Sequence, residues 1–202
     1  KENVRDPMWY GVLETRLAEN GAIIHENRVK TLEFLSTAQS QAETAFPTAD
    51  LELTHAEDAM PVDSGDLKGA FEASRFRDLA AGRTLVGPHR ADLLGTFSAK
   101  GVAAKECSTG EQKALLISLI LANARALAEQ IGAPPILLLD EVAAHLDAAR
   151  RAALYEEISA LGAQAWMTGT GAELFDSLSS QSVHLEVTET GGISETVTKH
   201  SS

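Results

Sequence analysis

The sequence predicts an α/β fold, in which a mostly helical first part precedes a lobe where strands and helices alternate. Apolar residues from residue 6 to residue 46 recur with the 3.6-residue period of a helix. After residue 83, short aliphatic runs alternate with helix-length segments, which is typical of an α/β lobe. The 44% hydrophobic content of 202 residues is enough for one good core or two small ones. We therefore expect a helical arm over 1–82 and an α/β lobe over 83–202.

The first element is a long helix that begins at Asp6-Pro7, because Asp is a favourable N-cap and Pro is tolerated in the first turn. Its apolar period continues through Gly21 to about Phe46, so one helix is expected although Gly costs ~1 kcal/mol relative to Ala in a helix. The other elements of the arm are expected to be a short strand around 51–53 and a helix over 65–81 that Ser64 caps and Gly82 ends.

The lobe is predicted from its turn signals and apolar runs. The expected elements, in order, are a short strand at 84–86, a strand pair at 93–98 and 102–105, a helix from Thr109 to about Gln130, a strand at 136–140, a helix over 148–161, a strand at 164–168, a short helix over 172–178 and a hairpin of 183–187 with 193–197.

The strand at 136–140 carries the most informative motif, because it ends in Asp140 and Glu141. A continuous aliphatic run predicts a strand buried on both faces of a parallel sheet, whose C-terminal edge is where ligands bind. Asp140 can hold Mg²⁺ through water, and Glu141 can orient the water that attacks a γ-phosphate. The alternative is a pair of carboxylates that only caps the next helix. Because adjacent acids at the end of a buried strand repel each other and lose solvation, a role toward a cation or water explains them better.

Ser108 and Glu111 form a capping box, in which Ser bonds the N–H three residues on and Glu reaches back. That interpretation holds whatever else the segment does, but it leaves Gly110 in the first helical turn unexplained. Gly is costly there unless another molecule must approach the backbone closely. A helix N-terminus with a hydroxyl and a small residue is a natural γ-phosphate binder. For Asp147, a simple cap of the 148–161 helix is sufficient.

The phosphate loop of a nucleotide-hydrolysing site is not found in this sequence. Such a loop ends in Gly-Lys-Ser/Thr, because backbone N–H groups and a lysine must surround the phosphates. No lysine of the chain follows a glycine. Either the chain is not a nucleotide hydrolase, or it is a C-terminal piece whose phosphate loop lies upstream. We favour the piece and expect the chain by itself to be inactive.

Composition limits the classes of partner. The net charge of −12 argues against an obvious nucleic-acid binder, although residues 83–130 carry six basic and four acidic side chains. Candidate nucleic-acid contacts in that stretch are His89, Arg90, Lys100 and Lys105. Cys107 is the only cysteine, so an internal disulfide is impossible. The uninterrupted apolar runs fall short of the roughly 20 residues that span a bilayer, so we expect a cytoplasmic protein without a membrane partner.

Three motifs together carry a family resemblance. The segment Ser-Thr-Gly-Glu-Gln-Lys within 107–113 resembles the ABC-type signature, 136–141 resembles Walker B, and 144–147 resembles the D-loop. With Gly-Pro-His-Arg-Ala-Asp-Leu at 87–93, the chain resembles the C-terminal half of the RecF family of bacterial recombination-mediator ATPases. The resemblance implies a partial ABC-type (P-loop NTPase) ATPase lobe with an appended helical arm.

The resemblance also implies residue roles. Asp140 corresponds to the Mg²⁺-associated Walker B aspartate and Glu141 to the catalytic glutamate. The signature residues would contact ATP held by the opposite subunit, and Asp147 would lie in a loop that communicates across the dimer. These signature residues are Ser108, Thr109, Gly110 and Glu111. One departure is that 167–170 read Met-Thr-Gly-Thr where many ABC proteins have a switch histidine.

The implied activity is ATP-dependent homodimerisation on gapped or single-strand/double-strand junction DNA, in DNA repair, recombination, replication and the SOS response. ATP and Mg²⁺ are the implied cofactors, and RecO and RecR are the implied partners in loading RecA. Two alternatives stay open. One is the ATPase subunit of another ABC-type system such as a transporter, and the other is a non-enzymatic fragment that binds protein partners.

Overall fold

The computed structural model describes residues 6–57, 59–61, 63–178 and 182–199. Its helices and strands confirm the predicted α/β class. In chain order they are α1 (Pro7–Ser40), β1 (Ala49–His55), α2 (Leu67–Ala81), β2 (Ala91–Phe97), β3 (Val102–Ala103), α3 (Thr109–Ile131), β4 (Leu137–Leu139), α4 (Ala148–Leu161), β5 (Ala165–Met167), β6 (His184–Thr190) and β7 (Ile193–Lys199).

The chain divides into two compact units. The first contains the residues up to Ala42 together with Pro47–Ala126, and the second contains Glu43–Phe46 together with the residues from Leu127 onward. The division expected at residue 82 rests on the change of sequence pattern there, and it stays a prediction.

Helix α1 begins as predicted, because the Asp6 carboxylate accepts a hydrogen bond from the Met8 N–H at 2.9 Å. It ends at Ser40, six residues earlier than expected. The buried Gln39 side chain accepts from the Ala49 N–H at 2.9 Å and donates to the Ala49 carbonyl at 3.1 Å, which fixes the return of the chain toward β1. Pro47 also disfavours a helical conformation at Phe46.

Helices α1 and α2 pack around a small apolar core in the first unit. Leu67, Phe71 and Val86 are its buried members. Gly21 of α1 lies against this core, since a Cβ there would sit 3.2 Å from Leu67 Cδ1 and 3.3 Å from the Pro88 ring. The glycine therefore allows α1 to approach closely. A bidentate ion pair between Arg75 and the buried Glu14 joins the same two helices, with N–O distances of 2.5 and 2.6 Å.

Two predictions for the first unit are wrong. Residues 84–86 do not form a strand, because the Leu85 N–H donates to the Asp78 carboxylate at 3.0 Å and the Gly87 N–H donates to the Ala59 carbonyl at 2.8 Å. Ser64 is not the cap either. Asp63 accepts from the Gly65 N–H at 2.9 Å and starts a short 3₁₀ turn that leads into α2.

The predicted strand pair of the first unit is confirmed with shifted bounds. β2 lies between β1 and β3 in an antiparallel sheet, and His55 pairs with Ala91 while Ala49 pairs with Phe97.

The second unit contains the parallel pair β4–β5, helix α4 and the β6–β7 hairpin around 191–192. The parallel pairing and the hairpin agree with the sequence. Helix α4 buries Leu154, Tyr155 and Ile158, and the Tyr155 hydroxyl donates to the Leu174 carbonyl at 2.7 Å. The expected helix over 172–178 is instead a short 3₁₀ turn, Ala172–Phe175.

Helix α3 is the one helix within the described residues that is long and apolar enough, by length and composition, to cross a membrane. Its 18-residue window has a mean hydropathy of 1.4, and 44% of that window is buried inside the protein. Uninterrupted apolar runs did not reveal this, because polar residues interrupt the helix. A helix in a buried core can have the same length and apolar composition. Helix α3 contributes Ala114, Leu115 and Leu121 to the buried core.

Candidate functional site

Asp140 and Glu141 follow β4 directly, at the C-terminal edge of the parallel pair, where Leu139 lies opposite Met167. This placement is the one that the sequence predicted for the two carboxylates. The burial of the strand differs from the prediction. Leu137 and Leu139 are buried, but Leu138 is 77% exposed. Within this chain, one face of β4 is therefore buried, whereas the sequence predicted that both would be.

Thr168, the residue after β5, contacts both acidic residues. Its hydroxyl donates a short hydrogen bond to Asp140 Oδ1 and accepts one from the Glu141 N–H at 2.9 Å. Glu141 has a φ of 54° and is the one non-glycine residue with a positive φ in the described part of the chain. Such a conformation costs roughly 1–2 kcal/mol for a residue with a Cβ. The hydrogen bond to Thr168 offsets part of this cost, so backbone strain is concentrated at the predicted catalytic residue.

The residues at this edge fit a Mg²⁺ ion that is held mainly by water and phosphate. Mg²⁺ is usually bound through one or two carboxylates together with substrate phosphates rather than in an all-protein cage. Asp140 is exposed, and a carboxylate that accepts one hydrogen bond keeps several lone pairs free. Among the residues that the structure describes, no group of three or more His, Cys, Asp and Glu side chains could hold a metal.

Asp147 caps helix α4, since its Oδ1 accepts from the Arg150 N–H at 2.8 Å. Its second oxygen lies 3.8 Å from Arg150 Nε. The prediction that Asp147 caps this helix is therefore confirmed, and its role in communication across a dimer stays a prediction.

At the start of α3, Ser108 and Glu111 form the predicted capping box. The Ser108 N–H and hydroxyl donate to Glu111 Oε2 at 3.0 and 2.8 Å, and the Glu111 N–H lies 3.4 Å from Ser108 Oγ. Glu111 Oε1 in turn makes a short ion pair with Lys100. These contacts leave the carboxylate of Glu111 turned toward the protein in this structure.

The contact between Lys100 and Glu111 shifts the pKa of both groups. The hydrogen bond from Lys100, and then those from Ser108, lower the pKa of Glu111 from 4.5 to about 2. The hydrogen bond with Glu111 raises the pKa of Lys100 above its ordinary value. Lys100 also lies 5.4 Å from the centre of the Phe97 ring. The sequence offered Lys100 as a nucleic-acid contact, whereas the structure pairs it with the signature segment.

Gly110 has no packing partner that requires a glycine. A Cβ at this position would meet no atom within 4 Å, and Ser108 and Thr109 beside it are exposed. The first turn of α3 therefore presents a small residue and a hydroxyl to the surroundings, as an approaching phosphate would need.

The remaining basic candidates lie in exposed positions. His89 and Arg90 belong to a 3₁₀ turn, Pro88–Arg90, and one ring nitrogen of His89 lies 2.9 Å from the Thr84 carbonyl. Lys105 is exposed in the turn before the signature, where its carbonyl accepts from Gln112 Nε2 at 3.3 Å. Their contact with nucleic acid stays a prediction.

The structure brings candidate residues together in two separate clusters. One joins Asp140, Glu141 and Thr168 in the second unit, and the other joins Ser108, Glu111 and Lys100 in the first. Sequence reasoning missed the roles of Thr168 and Lys100. Two signals pointed to Thr168. The expected strand at 164–168 placed it at the same sheet edge as Asp140, and it belongs to the 167–170 segment where many ABC proteins have a switch histidine.

The parallel strand that ends in two carboxylates and the capped helix that begins with small residues fit the predicted fold class, part of an ABC-type ATPase lobe. No protein-family model matches the chain. The "DNA replication and repair protein RecF" of Rhizobium meliloti is 43% identical over 189 residues, which cover 90% of this chain and 50% of the relative. The protein of the same name from Brucella abortus is 45% identical over 190 residues, again 90% and 50% of the two chains. The chain belongs to the RecF family and corresponds to its C-terminal half.

A solved structure of the recombination mediator protein RecF with ATP, from the RecFOR pathway, matches with a TM-score of 0.69 at 24% identity. It covers 97% of this chain, which covers 52% of that one. At this identity the likeness supports the fold. The chain spans about half the length of the curated relatives it matches, and those relatives are named DNA replication and repair proteins.

Proposed function

We propose that the full-length protein to which this chain corresponds is a cytoplasmic, ATP-dependent, DNA-binding mediator of recombination and repair. In this proposal it forms an ATP-dependent homodimer on gapped or single-strand/double-strand junction DNA and helps to load RecA together with RecO and RecR. Family membership supports the proposal, since the relatives are named DNA replication and repair proteins and one solved relative is described with ATP.

The observation that carries the ATPase part is the fixed position of Asp140 and Glu141 at the edge of the parallel strands. Glu141 would orient the attacking water, and Asp140 would hold Mg²⁺ through water. When bound, Mg²⁺ neutralises charge on the phosphates. The strained backbone of Glu141 supports an assignment to catalysis, because such strain is often found at functional sites.

The second part of the proposed site is the start of α3, where Ser108, Thr109, Gly110 and Glu111 would approach ATP held by the other subunit. The exposed hydroxyl of Ser108 and the open space beside Gly110 support this role. Because no lysine follows a glycine in this chain, the lysine of the phosphate loop would come from the other half of the family's length. The chain by itself is expected not to hydrolyse ATP.

Substitution Glu141→Gln in the full-length protein tests the proposal. The amide keeps the shape of the side chain but positions the attacking water poorly, so we expect ATP binding to persist while hydrolysis falls by about 100-fold or more. ATP-bound dimers should then accumulate, as measured by light scattering after size-exclusion chromatography. Glu156→Gln, at an exposed position on α4, is the control and should hydrolyse ATP normally. Normal hydrolysis by Glu141→Gln would contradict the catalytic role assigned to Glu141. Absence of hydrolysis by the wild-type full-length protein would favour the non-enzymatic alternative.

A further inference from the structure

The Thr168 hydroxyl uses its hydrogen-bonding capacity on the two acidic residues. A hydroxyl has one proton to donate and two lone pairs that accept. Thr168 donates its proton to Asp140 Oδ1 and accepts the Glu141 N–H at 2.9 Å. One side-chain atom from β5 thus bridges the carboxylate of one acid and the backbone of the next.

The backbone that presents this hydroxyl is fixed on both sides. The Thr168 N–H donates to the Leu139 carbonyl at 3.1 Å, which extends the pairing of β4 with β5 by one step. Gly169 follows, and a Cβ there would lie 2.9 Å from Phe175 Cζ and 3.0 Å from Leu174 Cδ1. Because the main chain is packed this closely, the position of the hydroxyl is determined by the fold rather than by a flexible loop.

The bond to the Glu141 N–H bears on where the Glu141 side chain points. With a φ of 54°, Glu141 holds a backbone conformation that a residue with a Cβ rarely adopts unless its surroundings impose it. The direction in which the side chain leaves the main chain follows from this backbone conformation. If the hydroxyl were removed, the N–H would lose its partner and the backbone would relax toward a negative φ, which turns the carboxylate away.

We infer that Thr168 is a positioning residue for ATP hydrolysis: its hydroxyl holds the Glu141 backbone in its strained conformation and fixes the rotamer of Asp140. It acts through these two residues and does not itself contact the reacting atoms. The inference rests on the proposed function, since it assigns to Thr168 a role in the reaction of the same site.

The test compares Thr168→Val, which keeps the branched shape without the hydroxyl, with Thr168→Ser, which keeps the hydroxyl, in the full-length protein with Mg²⁺-ATP. Partners that orient reacting groups typically contribute 10–100-fold to activity, so we expect Val to lower kcat by about that factor. KM for ATP should change by less than about threefold, because the site loses orientation rather than binding. Ser should retain kcat within about threefold of wild type.

A second readout follows the hydrogen bond itself. In Thr168→Val, the backbone amide of Glu141 should exchange with deuterium faster than in wild type, whereas Thr168→Ser should preserve its protection. Thermal unfolding of each variant checks the fold, and Thr168→Ala provides another side chain without a hydroxyl if Val packs poorly.

The outcomes separate the inference from the function on which it rests. If Glu141→Gln abolishes hydrolysis while Thr168→Val has normal kcat, the inference is overturned and the proposed function stands. Equal losses in the folded Val and Ser variants, or a raised KM with unchanged kcat in Val, would also overturn it. If Glu141→Gln hydrolyses ATP normally, the catalytic role proposed for Glu141 fails first and the inference with it.

Discussion

At the scale of single residues, Glu111 joins the cap of α3 to a lysine outside the helix. One carboxylate oxygen accepts from Ser108, and the other pairs with Lys100. The two contacts act in the same direction, because both stabilise the charged form of the acid. The cap and the ion pair are therefore linked through the protonation of one side chain.

This linkage predicts a titration that depends on Lys100. The pKa of Glu111 is lowered from 4.5 to about 2, so the stabilisation from its charged form is present above pH 4.5 and is lost as pH falls toward 2. In Lys100→Met, the midpoint should rise toward 4.5, because the first cause of the shift is removed. Side-chain carboxyl NMR of Glu111 measures the midpoint directly. Lys105→Met is the control, and an unchanged midpoint in Lys100→Met would contradict the ion pair.

The sequence predicted the capping box because its partners are three residues apart and the helix brings them together. The same sequence did not predict the contacts of Lys100 or Thr168. Lys100 lies 11 residues from Glu111, and Thr168 lies 28 residues from Asp140, so both contacts depend on how separate elements pack. Motif spacing can identify the acids of the site, but the groups that orient them come from tertiary structure.

At the scale of elements, α1 shows how a glycine that is unfavourable for a helix can be favourable for packing. Gly21 costs about 1 kcal/mol relative to Ala by helix propensity alone. In the fold it faces Leu67 and Pro88, where a Cβ would lie 3.2 and 3.3 Å from the nearest atoms. Because Leu67 is fully buried, it has little room to move.

Two substitutions in α1 separate propensity from packing. Gly11→Ala places a methyl group where no atom lies within 4 Å, so we expect stabilisation by up to about 1 kcal/mol. Gly21→Ala gains the same propensity but overpacks the core, a cost of roughly 1–3 kcal/mol, so we expect net destabilisation of about 1 kcal/mol. Urea unfolding monitored by circular dichroism measures both. Equal stabilisation by the two variants would show that α1 does not need the close approach at Gly21.

Residues 84–86 and β4 also differ from prediction, because their structure depends on contacts with other parts of the chain. Residues 84–86 have strand-forming side chains, but the Leu85 N–H donates to Asp78 and the N–H of the following Gly87 donates to the Ala59 carbonyl instead of to a neighbouring strand. For β4, an aliphatic run could not reveal whether both covering layers belong to this chain. The side chain of Leu138 is 77% exposed, so one face of β4 is open in this chain.

At the scale of the whole molecule, the two clusters of candidate residues lie in different compact units. The first unit carries the start of α3 with Ser108 and Gly110, and the second carries Asp140 and Glu141. The proposed composite site joins the first cluster of one subunit to the second cluster of the other. The central claim of the proposed function is therefore that each ATP site contains the first cluster from one subunit and the second cluster from the other.

Mixing two full-length variants with defects in different clusters tests this claim most directly. Gly110→Glu adds an anion where the γ-phosphate would approach, in space that is open within the chain, and Glu141→Gln removes the water-orienting acid. Each variant alone should have almost no ATPase activity. If the variants are mixed in equal amounts before ATP is added and pair at random, half of the dimers contain one intact site, so up to about one quarter of the wild-type rate should return. Steady-state hydrolysis by a mixture that stays as inactive as the separate variants would contradict a site shared between subunits.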